Sequence, residues 1–189
     1  MNILLNNIQK IVALTQSEQE LLLSHFEERS LKKKEFLLRE GEVSKGTAFV
    51  IEGLLRAYSM DKNGFEHIIQ FAPAGWWTND MYSYKTGKPA RLFISALENT
   101  DYMCITRNNL EELFIKIPKL ERFFRILAEN SLISHQNRLV NFLSFPAVER
   151  YKSFCEQYPS LVGWLPQKQI ASYIGVTPEF LSKMLKENF

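Results

Sequence analysis

The sequence predicts an α+β protein: an N-terminal antiparallel β sandwich, barrel or jelly roll, a long linking helix, and a C-terminal helix-turn-helix domain with little or no wing. Three observations carry this. Between Glu35 and Ile105, short apolar or alternating runs are divided by turn residues, the pattern of a sandwich, barrel or jelly roll. From Lys119 to Phe145 neither Gly nor Pro interrupts a helical pattern. From Gln167 to Lys186 the residues meet the demands of two short crossed helices joined by a tight turn. The expected domains are 1–117 (the β-rich domain), 118–145 (linking and dimerisation helix) and 146–189 (helix-turn-helix).

The β region divides at Gly41, Gly53, Asp61-Lys62-Asn63-Gly64, Pro73-Ala74-Gly75 and Glu98-Asn99-Thr100-Asp101. Asn63-Gly64 favours the positive φ angles of a two-residue hairpin turn. Ahead of the strands, "TQSE" (Thr15–Glu18) has the spacing of a capping box. In the long helix, Leu120, Phe123, Phe124 and Leu127 recur at i, i+3, i+4 and i+7, and Leu139, Phe142 and Leu143 resume the spacing. Polar residues interrupt the stripe. A dimer seam tolerates such residues and uses them to fix register, so Leu120, Phe124, Leu127, Ser131, Ser134 and Arg138 are the expected seam. Packing of the helix on its own domain is the alternative.

The 189 residues carry a formal net charge of +2, and 46% are apolar. Bulk charge therefore neither favours nor excludes nucleic acid as a partner. The opening "MNILLNNIQK" lacks the features of a signal peptide, and no run reaches the roughly 18 apolar residues of a membrane span, so a cytoplasmic location is expected. Cys104 and Cys155 have no CxxC spacing and read as buried thiols. His25, His67 and His135 are scattered, which speaks against a metal-dependent cupin enzyme; "GTAFVIEG" lacks the Lys-Ser/Thr of a phosphate loop. No enzyme activity, metal or cofactor is expected.

The terminal pair is specific. Ile170, Ile174, Val176, Leu181 and Met184 fall where crossed helices need apolar contacts, and Ala171 is small at the crossing. Gly175 suits a left-handed helix end, Thr177 an N-cap, Pro178 the first helical position, and Glu179 the first turn. The outward residues Thr177, Pro178, Glu179, Ser182, Lys183 and Lys186, with Gln167 and Lys168 at the start of the first helix, are the expected DNA-binding set. Glu179 suits a cytosine amine and Lys183 guanine O6 or N7, while Ser182 and Lys186 suit phosphates. From Ala147 onward five positive residues face four negative ones. So weak a field binds DNA poorly in one copy, which calls for a dimer.

This arrangement resembles the Crp/Fnr family of bacterial transcription regulators over nearly the whole chain. The likeness is carried most by "ERY" (Glu149–Tyr151), "IASYIG" and "TPEFLSKM", and it is similar to the subgroup common in Bacteroidetes. The resemblance implies a cyclic-nucleotide-binding-like jelly roll, a dimer along the long helix, double-stranded DNA as partner, and RNA polymerase as a further one. Members that read DNA often carry an Arg-Glu pair, then an Arg four residues later. Here Pro178 stands at the first Arg, Glu179 at the Glu and Lys183 at the last Arg.

The sensor region departs more. Cyclic-AMP binders of the family carry a Gly-Glu-Leu turn and an Arg-Ser pair around the phosphate. Here Thr78-Asn79-Asp80 stands at the first and Ala90 at the Arg, with Arg91 one residue late. A cyclic nucleotide is therefore not expected. Trp76, Trp77, Asn79, Asp80, Tyr82, Arg91 and Phe93 are the expected effector pocket, suited to an unidentified apolar or aromatic small molecule, or else filled by its own aromatics. The competing reading is a ligand-sensing or protein-interaction module of the same fold that has lost DNA binding.

Overall fold

A computed structural model describes residues 3–188. The chain opens with α1 (Ile3–Gln9) and α2 (Gln16–Ser24). The expected capping box closes α2: Thr15 Oγ1 accepts the Glu18 amide, and Glu18 Oε2 accepts the Thr15 amide at 2.7 Å. Eight strands follow: β1 (Glu27–Leu31), β2 (Phe36–Leu38), β3 (Gly46–Glu52), β4 (Leu54–Met60), β5 (Glu66–Pro73), β6 (Trp77–Thr78), β7 (Phe93–Ala96) and β8 (Thr100–Thr106). A short helix, α3 (Met81–Thr86), lies between β6 and β7. The strands form two four-stranded sheets, ordered β1-β8-β3-β6 and β2-β7-β4-β5, and the jelly roll expected from the sequence is present.

The helices α4 (Arg107–Lys116), α5 (Lys119–Ser144), α6 (Ala147–Gln157), α7 (Gln167–Ile174) and α8 (Pro178–Asn188) complete the chain. Two compact units result. One comprises the residues up to Ser59 with Ile69–Leu127; the other comprises Met60–Ile68 with the chain from Ala128 onward. The division falls inside α5, and the β4–β5 hairpin tip groups with the C-terminal helices, unlike the three segments drawn from the sequence.

In the first unit, one core is built by Leu4, Ile8, Leu22, Phe49, Ile105, Leu113, Leu120 and Phe123. Trp77 joins it, 5.0 Å from the Phe49 ring and 5.3 Å from the Phe124 ring, and donates its indole N–H to Asn7 Oδ1. A second cluster, wholly aliphatic, joins Leu38, Val50, Leu55, Ala57, Ala72, Ala90, Ile94 and Ala96. Period-two alternation explains which residues face it: Leu55 and Ala57 of β4, and Ile94 and Ala96 of β7, point into the cluster.

The hairpin tip differs from the two-residue turn expected for Asn63-Gly64. Asp61 is bonded to Gly64 across a four-residue turn, and Gly64 alone takes positive φ (82°). The cause is the Asp61 carboxylate, which accepts the Asn63 amide at 2.8 Å and the Phe65 amide at 3.0 Å. Those bonds, the Phe65 amide foremost, hold its pKa below the usual aspartate value.

Candidate nucleic-acid interface

Helices α6–α8 close around Phe154, Ile170, Ala171, Ile174, Leu181 and Met184, all buried. These include four of the five apolar positions that the sequence assigned to the crossing; the fifth, Val176, is half-buried. Phe154, Tyr158 and Tyr173 pack as an aromatic trio with centroids 5.4–5.6 Å apart. The Tyr173 hydroxyl donates to Gln157 Oε1, and burial pushes its pKa up.

The turn between α7 and α8 follows from three residues. Gly175 adopts φ 72°, ψ 45°, and its amide and that of Val176 both return to the Ala171 carbonyl. A Cβ at Gly175 would also lie 2.5 Å from the Phe142 ring and push it aside, but it is the left-handed conformation that requires glycine here. Thr177 Oγ1 then accepts the Phe180 amide and caps α8, whose first residue is Pro178.

With the apolar side buried, α8 presents Pro178, Glu179, Ser182, Lys183 and Lys186 along one shallow, open depression. Lys183 is 76% exposed and only loosely paired, 3.8 Å from Glu187. An exposed ion pair of that length offers little resistance to an incoming phosphate or base edge. Gln167 and Lys168 are exposed at the start of α7, and the Thr177 hydroxyl is committed to the cap.

The C-terminal part of α5 separates two kinds of residue. Leu132, Ile133, Leu139, Val140 and Leu143 are each more than half exposed. At 100° per residue they form one stripe centred roughly opposite Ser134, Arg138 and Asn141. Those three face inward. Ser134 Oγ accepts from Gln157, Asn141 donates to Ser153 Oγ, and Arg138 donates to the Tyr173 carbonyl. Of the residues the sequence assigned to a seam, Leu120 is buried in the first unit's core with Phe124 and Leu127 against it, and Ser131 is exposed. Arg138 was legible only as a polar break in the stripe; the spacing 134, 138, 141 was the available sign of a second packing face.

The expected effector residues converge only in part: Asp80, Tyr82 and Arg91 lie together, and the others do not join them. Trp77 belongs to the first core, whereas its neighbour Trp76 packs against the aliphatic cluster. Phe93 stacks on Tyr58 at 5.2 Å, on the strand face opposite Ile94. Arg91 is exposed, with its guanidinium 3.9 Å over Tyr82, and Asn79 is half-buried. Asp80 is 2% exposed, and its carboxylate is engaged by the backbone amides of Ser83, Arg91 and Leu92 at 2.9–3.1 Å. Ala90, at the position the resemblance gives to an arginine, is buried in the aliphatic cluster.

Cys104 and Cys155 are free and half-buried, and burial pushes both thiols up. Among the described residues no group of three or more His, Cys, Asp or Glu is placed to hold a metal ion, and no helix is long and apolar enough to cross a membrane.

Comparison with known proteins now places the sheet-forming segment, since the family described as the cyclic nucleotide-binding domain matches residues 28–116. Over those residues the chain is similar to a cyclic nucleotide-binding domain. Around this domain the chain is 24% identical to electron transport regulator A of Shewanella oneidensis, over 83% of this chain and 66% of that protein. It thus spans just under two thirds of that relative's length. It is 26% identical to the fumarate and nitrate reduction regulatory protein of Vibrio cholerae, over 94% of this chain and 76% of that one. The structure of FixK2 from Bradyrhizobium japonicum superposes with a TM-score of 0.74 at 22% identity, over 86% of this chain and 83% of the other. The fold, cyclic nucleotide-binding-type domain and C-terminal helices together, is the one shared by Crp/Fnr regulators.

Proposed function

We propose that this protein is a DNA-binding transcription regulator of the Crp/Fnr type that acts as a homodimer on a near-palindromic operator, in the cytoplasm and without enzymatic activity. The observation that carries it is the α7–Gly175–α8 turn, which buries one side of α8 and presents Pro178, Glu179, Ser182, Lys183 and Lys186 on the other. A recognition helix enters the major groove with its N-terminal residues leading. In that pose Glu179 accepts from a cytosine N4 amine, Lys183 donates to guanine, and Ser182 and Lys186 bind phosphates. Gln167 and Lys168, at the start of α7, reach the flanking backbone, and RNA polymerase is the further partner.

The dimer seam is the exposed stripe Leu132, Ile133, Leu139, Val140 and Leu143. Two copies double the positive field that one nearly neutral C-terminal unit lacks. The jelly roll is not a cyclic-AMP receptor in this reading. Ala90 offers no guanidinium, and the amides of Arg91 and Leu92 already serve the Asp80 carboxylate.

The test is selection of duplexes from a random-sequence library by the purified protein, then footprinting at low and at physiological salt. The expected result is a site of about two helical turns with related halves, protected at both salt concentrations. Lys183→Ala should weaken it at least tenfold, within the roughly 1–3 kcal/mol of a base contact, and flatten discrimination at one base pair per half-site. Enrichment of no sequence would favour the second reading, a ligand-sensing or protein-interaction module, to which the near-balance of charge after Ala147 also points. Cyclic AMP that raises the melting temperature would overturn the effector statement alone.

A further inference from the structure

A serine in the middle of a helix commonly bonds back to its own helix's carbonyls. Ser172 of α7 does not. Its Oγ donates to the Glu66 carbonyl at 2.6 Å and accepts the Ile68 amide at 3.1 Å, more than a hundred residues away in sequence. Beside it, Nη2 of Arg138 on α5 donates to the Ile68 carbonyl at 2.5 Å and to the Tyr173 carbonyl at 2.7 Å. The guanidinium lies 4.1 Å over the Tyr173 ring. Burial lowers the pKa of Arg138, but a guanidinium stays charged throughout the working pH range, so its two bonds are charge-assisted. Three segments of the C-terminal unit meet here: the hairpin tip 60–68, the later half of α5, and α7.

We propose that Ser172 and Arg138 form a clasp that fixes the helix-turn-helix to α5 and so sets the spacing of the two recognition helices in a dimer. The proposal rests on the DNA-binding dimer described above. The later half of α5 also carries the apolar stripe, so whatever locks α7 to it locks the reading helix to the seam. No residue of the α8 reading face takes part in the clasp. It therefore positions that face and does not cover it. Arg138 and Ser172 are positioning residues, and the hairpin tip is the third member, so displacement of the tip removes both Ser172 bonds and leaves α7 tied to α5 by Arg138 at Tyr173. A loosened clasp leaves each reading head intact but makes the pair pay for its ordering when both heads must land together.

The test uses the full chain with Ser172→Ala and Ser172→Thr. Hydrogen exchange at the Ile68 amide and along α7 is measured with binding to library-selected duplexes carrying one or two half-sites. Ser172→Ala should speed exchange at Ile68 about tenfold or more and weaken two-half-site binding about tenfold, the scale of one net hydrogen bond or so. One-half-site binding should stay within about twofold of wild type by the same reasoning. Ser172→Thr, which keeps the hydroxyl, should restore both. Unchanged exchange at Ile68, or equal weakening on both duplexes, overturns the clasp. If wild type binds no duplex, the DNA reading and the spacing role fall together, while the Ile68 exchange still decides whether the contact holds.

Discussion

The two halves of α5 are written in nearly the same apolar rhythm and end in opposite environments. In the first half, Leu120 and Phe123 are almost fully buried, and Phe124 and Leu127 pack on the same core. In the second, Leu132, Ile133, Leu139, Val140 and Leu143 form a stripe of similar width that lies more than half exposed. The difference is not one of pattern. The first half meets strands and helices of its own unit; the second turns its polar residues Ser134, Arg138 and Asn141 inward and its apolar ones outward. A helix that reverses the usual assignment keeps its apolar face for something else, since large exposed patches commonly mark interaction sites.

That contrast can be broken at several points. The largest effect is expected from Phe123→Ala. Emptying a fully buried aromatic position costs about 3–5 kcal/mol, which chemical denaturation would register as a shifted midpoint. Leu139→Glu, on the other half, should leave the melting transition of the dilute chain nearly unchanged while converting a sedimenting dimer to a monomer. If the monomer is already the wild-type state, the exposed stripe is not a seam. The smallest effect sits at the first residue of α5, where Lys119 Nζ pairs with Glu18 at 2.7 Å. Lys119, and next the Thr15 amide, hold the Glu18 carboxyl below its usual range. A depressed carboxylate contributes stability above its unfolded pKa, near ~4.3, and loses it as pH falls through the folded value. Glu18→Gln should therefore melt below wild type at neutral pH and converge with it under acid, as thermal scans across that range would show.

What the sequence made legible was mostly local. The helix-turn-helix could be read because Ala171, Gly175, Thr177 and Pro178 each meet a demand set within a few residues. The strands could be read because turn residues divide the apolar runs. The pocket could not, because adjacent aromatics take opposite sides. Trp76 and Trp77 look equivalent in sequence, yet one packs on the aliphatic cluster and the other fills the core beneath α1. Asp80 was singled out as a ligand contact, but its carboxylate is closed over by amides eleven and twelve residues further on, a loop that no periodicity announces. Arg138 looked like register control in a seam; its bonds reach residues 70 and 35 positions away.

On the hairpin side, the clasp uses main-chain atoms alone: the Glu66 carbonyl, the Ile68 amide and the Ile68 carbonyl. It is blind to the side chains there. Glu66 can drift to almost any residue without altering a single one of those bonds. Position 68 is held by its own burial, and only proline would delete the amide that Ser172 receives. On the helix side the contact hangs on one hydroxyl and one guanidinium. Over evolutionary time such an asymmetric joint lets the hairpin be rewritten freely, while tuning of its strength concentrates at two codons.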